Sequence, residues 1–177
     1  MSYQKWLLLG LLSVFLTTVT TEMRIAAAME RLGIVDMPSF SEEDPPSICP
    51  SGYLVKGVRC SGHYCDNKSL RCQRNESVLN VNESHWSQWF SEERSRRRPE
   101  KVKSNEHFVA GLACSGSYCD NLRVFFMKGR KMAQNCSWTK AFSEEQGYRE
   151  CPSGKFVSGL KCSGSYCDNI RLYCCRP

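Results

Sequence analysis

The chain has 177 residues, 24 Lys and Arg against 18 Asp and Glu, a formal charge of +6, and 12 cysteines. That surplus is small and concentrated between Arg94 and Lys103. A nucleic-acid binder would instead spread cations and exposed aromatics over a whole face. Twelve cysteines without paired Cys-x-x-Cys or Cys/His spacings argue against zinc, and point to a disulfide framework and an exported chain.

Residues 1–21, "MSYQKWLLLGLLSVFLTTVTT", place Lys5 before an apolar run from Trp6 to Leu16, with small residues at Val19 and Thr21. This is the layout of a secretory signal peptide cleaved after Thr21, and its apolar run falls short of the roughly 20 residues that span a membrane. The expected product is secreted and extracellular. A leader follows over residues 22–39, where "MRIAAAMERLG" is compatible with a helix stopped at Gly33. It either packs on the domain or is a trimmed pro-segment.

From residue 40 the chain repeats itself. "FSEE" begins at Phe40, Phe90 and Phe142, and a cysteine-bracketed octet follows each: "CSGHYCDN" from Cys60, then "CSGSYCDN" from Cys114 and Cys162. A period near fifty residues divides 40–177 into three units, about 40–72, 86–126 and 136–175, within one domain. Alternation of period two flanks each octet. In the third unit Phe156, Ser158, Leu160 and Cys162 are expected on one face, with Val157, Gly159 and Lys161 on the other. Two such runs around a Gly-containing loop predict a β-hairpin, so the fold class is all-β and disulfide-rich. The octet is its stapled turn.

The second unit gives leverage on cysteine pairing. Closing each octet on itself gives Cys60–Cys65, Cys114–Cys119 and Cys162–Cys167. Cys49 and Cys72 flank the first unit at the offsets where Cys151 and Cys174 flank the third, and the second has Lys103 and Phe126 there. Both members are lost together, as a bonded pair would be, which predicts Cys49–Cys72 and Cys151–Cys174. Cys136 and Cys175 remain for each other.

Several residues invite a functional reading. Tyr64, Tyr118 and Tyr166 sit beside Asp66, Asp120 and Asp168, each followed by Asn67, Asn121 or Asn169. They could offer ring faces and oxygens to a sugar, although one Asp-Asn pair per loop is too few for calcium and the turn-stabilising reading weighs more. The pairs Glu42/Glu43, Glu92/Glu93 and Glu144/Glu145 suggest acid–base chemistry, but neighbouring residues on a strand face opposite ways and no nucleophile–base pattern accompanies them. No catalytic residue, cofactor or metal is therefore expected. Arg94, Arg96, Arg97 and Arg98 lie where the second unit runs longer than its siblings. They form a solvated loop, an anion-binding patch for sulfated glycans or a membrane surface, or a dibasic processing site. Of four sequons, Asn75 and Asn82 lie in a polar stretch suited to glycosylation. The stapled turn is expected to block Asn67, and the adjacent cysteine Asn135.

Certain motifs match a known family. Trp86, Trp89 and Trp138, then Cys151, Pro152 and Gly154, then Asn169 to Leu172 and Cys174, with Cys49, Pro50 and Gly52 in the first unit, resemble the vitelline membrane outer layer protein I family over roughly residues 40–177. The resemblance implies a β-prism, three Greek-key sheets about a pseudo-threefold axis, and a secreted structural or carbohydrate-facing role. The compact octet replaces that family's longer acidic loop, and the second unit lacks the Cys-Pro opening. A non-enzymatic extracellular protein that binds a glycan, matrix or cell-surface partner is thus expected. A secreted host-directed effector is the alternative, and a glycan hydrolase the third reading.

Overall fold

The structure is a computed structural model that describes residues 33–75, 79–92 and 101–177, without the side chains of residues 79–82. The apolar run over 1–21, most of the helix-compatible patch, and Arg94 to Arg98 lie outside the described residues. Two compact units divide the chain, Met1–Val35 and Asp36–Pro177. Of the first only Gly33–Val35 is described, entering strand β1 (Ile34–Asp36). The second includes Asp36–Ser39, the last residues of the expected leader. Met37 N–H donates to Leu70 O at 2.8 Å, and Asp36 pairs with Arg71 at 2.6 Å.

Among the described residues the regular structure is β-strand with a few short 3-10 turns, and no helix is long and apolar enough to cross a membrane. The strands make three antiparallel sheets. Each sheet is built on one hairpin: β3 (Tyr53–Ser61) with β4 (Asn67–Arg74), β7 (His107–Ser115) with β8 (Asn121–Gly129), and β11 (Phe156–Ser163) with β12 (Asn169–Arg176). The octet turns around at the tip of each. On the outer side of the second hairpin strand lie β5 (Leu79–Trp86) beside β8 and β9 (Gln134–Trp138) beside β12.

The remaining strands cross between units. β2 (Ser47–Ile48), from the first unit, pairs with β7 of the second. β6 (Lys101–Lys103), from the second, pairs with β11 of the third, and β10 (Tyr148–Glu150), from the third, pairs with β3 of the first. The exchange is cyclic, so no unit completes its own sheet.

The strict alternation expected for β11 does not hold. The register of each hairpin shifts at one residue, Lys56, Ala110 or Ser158, so that a β-bulge inserts an extra position. Val157, Leu160 and Cys162 therefore share the main core, while Phe156 joins a second cluster with Leu54, Phe108, Ala110 and Cys175. A bulge reverses the phase of every residue beyond it, and spacing alone does not reveal where that happens. The glycine after each bulge meets the crossing strand. A Cβ on Gly159 would overlap the backbone of Val102 and Lys103.

Six disulfides staple this frame: Cys49–Cys72, Cys60–Cys65, Cys114–Cys119, Cys136–Cys175, Cys151–Cys174 and Cys162–Cys167. Among the described residues no cysteine is free. Such a density of cross-links belongs to an oxidising or extracellular environment.

Candidate functional site

The repeated "FSEE" and octet motifs converge at the hairpin tips. Phe40, Phe90 and Phe142 are buried and clamp the start of their own unit's second hairpin strand through paired backbone hydrogen bonds to Lys68, Leu122 and Ile170. Two residues later the chain has reached the neighbouring unit. Glu42 Oε2 lies 3.7 Å from Cys119 Sγ, Glu92 Oε2 3.1 Å from Cys167 Sγ, and Glu144 Oε2 3.7 Å from Cys65 Sγ. Glu92 Oε1 also accepts from Tyr166 N–H at 2.9 Å. The carbonyls of Asp66, Asp120 and Asp168 approach Cys119, Cys167 and Cys65 at 2.9–3.0 Å. These sulfurs carry no proton, so the contacts are sulfur–oxygen approaches and not hydrogen bonds. All run in the sense of the strand exchange.

Within each octet the backbone takes an unusual path. Gly62, Gly116 and Gly164 have φ of 75°, 80° and 81° with ψ near ±180°, a region essentially reserved for glycine. After one intervening residue, the pairs Tyr64–Cys65, Tyr118–Cys119 and Tyr166–Cys167 are left-handed at φ 54–57°. Bulky side chains resist that conformation, and it persists where surrounding structure over-determines it. Here the disulfide and the Asp-Asn pair do so. Asn67 Nδ2 donates to Asp66 Oδ1 at 2.6 Å and Asn169 Nδ2 to Asp168 Oδ1 at 2.7 Å, with the same bond between Asn121 and Asp120. Each pair closes over the octet glycine, where a Cβ would collide with the aspartate.

This path brings the three tyrosines together. Tyr64, Tyr118 and Tyr166 have ring centroids 5.1–5.5 Å apart, mutually tilted or edge-on, and Tyr118 and Tyr166 are each 39% exposed. His63, where the siblings have Ser117 and Ser165, adds a ring 4.0 Å from Tyr64. The result is an aromatic surface at one end of the sheets, where Glu42, Glu92 and Glu144 each reach an octet disulfide.

Sequence reasoning missed Lys68, which stands where Leu122 and Ile170 do and is fully buried. Its ammonium donates to Cys65 O at 2.6 Å. Burial pushes its pKa down to about 7, against the opposing pull of Asp66, Glu42 and Asp120. Aligning the repeats would have exposed it as the charged residue among two apolar siblings. Also missed was Arg123, whose guanidinium lies 4.6 Å from the ring centroids of both Trp86 and Trp89.

Glu42, Glu92 and Glu144 each reach a different octet, and Glu93 lies outside the described residues. Glu92 with Cys162 and Cys167 is the one metal-compatible grouping among the described residues, but both sulfurs are bonded in a disulfide. Asn75 follows the far end of β4, and Asn82 lies in β5 beside the far end of β8. No family model, curated protein or solved structure matches the chain.

Proposed function

We propose that this is a secreted, non-enzymatic binding protein whose octet end recognises a glycan carried by matrix or by a cell surface. The observation that carries the reading is the tyrosine surface. Three rings are held together by six left-handed residues and three disulfides, at the end where carboxylates gather. An exposed apolar patch with a polar rim marks an interaction site more often than a structural accident. Tyrosine rings stack on the C–H face of a sugar, and the neighbouring carboxylates accept from its hydroxyls. Rigidity lowers the ordering cost of binding. The motif resemblance to the vitelline membrane outer layer protein I family supports the same reading, with a β-prism as the architecture, and the cyclic strand exchange fits such a closed threefold object.

The test is a glycan array probed with the oxidised chain and with a Tyr118→Ala/Tyr166→Ala variant. The expected result is a restricted set of bound glycans that the variant loses while its cooperative unfolding is kept. Equal binding by both proteins, or none by either, would sink the proposal.

A further inference from the structure

Four sequons compete for N-glycans, and the structure separates them by geometry and by order of cross-linking. At Asn67 the side-chain nitrogen is consumed within the turn, donating to Asp66 Oδ1 at 2.6 Å, and the next two residues of the sequon, Lys68 and Ser69, are buried. Both cysteines of that turn, Cys60 and Cys65, precede Asn67 in the chain. The staple can therefore close as soon as the sequon is exported.

Asn135 is the reverse case. It is exposed at the start of β9, with a left-handed φ of 50° that asparagine tolerates better than most residues. Its neighbour Cys136 pairs with Cys175, which lies 39 residues further along. At a synthesis rate of roughly 5–20 residues per second, Asn135 precedes that partner by about 2–8 s. The bridge that flanks it cannot exist when a transferase first meets it.

We propose that Asn135 is an N-glycosylation site and that Asn67 is not, an inference that rests on the secretory reading above. In the transfer, Asn135 Nδ2 forms a bond to the anomeric carbon of an oligosaccharide as that carbon's bond to a lipid pyrophosphate breaks. One amide proton is released and nothing is oxidised. Asn135 lies in β9 at the register shift between the Cys174–Ser137 and Arg176–Gln134 pairs, Asn75 follows Arg74, and Asn82 lies opposite the end of β8. All three are at the end of the sheets away from the octets, so glycans there leave the tyrosine surface uncovered.

The full chain is expressed in eukaryotic secretory cells, deglycosylated with a peptide N-glycosidase in heavy-oxygen water, and mapped by tandem mass spectrometry. The label is expected at Asn135 and absent at Asn67, and Ser137→Ala should remove one glycan from the intact mass. Label at Asn75 or Asn82 without Asn135 overturns this inference alone, as does label at Asn67. Label at none of the four overturns the secretory reading, and this inference with it.

Discussion

At the octet end the three units present nearly the same residues on the same backbone path, His63 and Lys68 being the exceptions, whereas at the far end equivalent positions are filled differently. Near that far end the bulge residues Lys56, Ala110 and Ser158 each face the opening turn of another unit. Lys56 Nζ donates to Pro152 O and Lys155 O at 2.8 and 2.9 Å, and burial lowers its pKa against the pull of Glu150. Ser158 Oγ lies 2.8 Å from Ser104 O and 2.5 Å from His107 O. Ala110 brings no side-chain donor. The contrast teaches where uniform chemistry is demanded. Around the octets, every copy reaches the next copy's disulfide in a closed cycle, and one altered copy disturbs two neighbours. At the far end a lysine donates in one copy and a hydroxyl in another, while the Ala110 copy does without a side-chain donor.

The comparison can be broken most severely at the octet glycines. Gly116→Ala should destabilise the fold by about 4 kcal/mol, because it forces a Cβ into a Gly-only backbone region and onto Asp120. Urea unfolding under non-reducing conditions measures this, and a loss under 1 kcal/mol would show that the turn relaxes freely.

The next test concerns the one breach of symmetry beneath the octets. Lys68→Leu, which copies the second unit, should stabilise by about 3 kcal/mol at pH 6. The sign follows from a folded pKa depressed below the unfolded value. The penalty is full below about pH 7 and fades as pH rises toward 10.5, the ordinary value of a solvated lysine. Wild-type stability should therefore climb through that window while the variant's advantage shrinks. A pH-independent difference would assign the effect to packing.

At the far end the effects should be smaller. Ser158→Ala should cost about 1–2 kcal/mol by removing the donor that two buried-side carbonyls share. Ala110→Ser should change stability little, if a donor is optional at that copy. The smallest expected effect is at the surface. Asp36→Ala removes one partner of Arg71, which Glu150 also holds at 2.5 Å and which stacks on Tyr148, and should cost about 0.5 kcal/mol in thermal unfolding. The hydrogen bonds that Arg71 donates to Asp36 are the chief reason that the Arg71 pKa rises.

Much of the fold was legible because its information is local. Period-two patterning, a glycine in a short loop and bracketing cysteines specify a hairpin within about two dozen residues. Comparison of the three copies extends that reach to the flanking cysteines. The bulges were not legible, since an inserted position is defined by a partner strand and not by the bulged strand itself. Lys68 illustrates the other failure: an isolated lysine among polar neighbours reads as exposed, and only the repeat alignment hints otherwise.

Residues close together in the chain, or identical copies of them, set the all-β class, the stapled turns and the number of units. Packing of the sheets made "FSEE" a two-part device, with its phenylalanine anchored in one unit and its glutamate reaching the next. It alone decided that the crossing strands close in a cycle and that three tyrosines meet on one surface. Those contacts join residues 47–103 positions apart, and separations of that kind are set by how sheets pack, which no local pattern encodes.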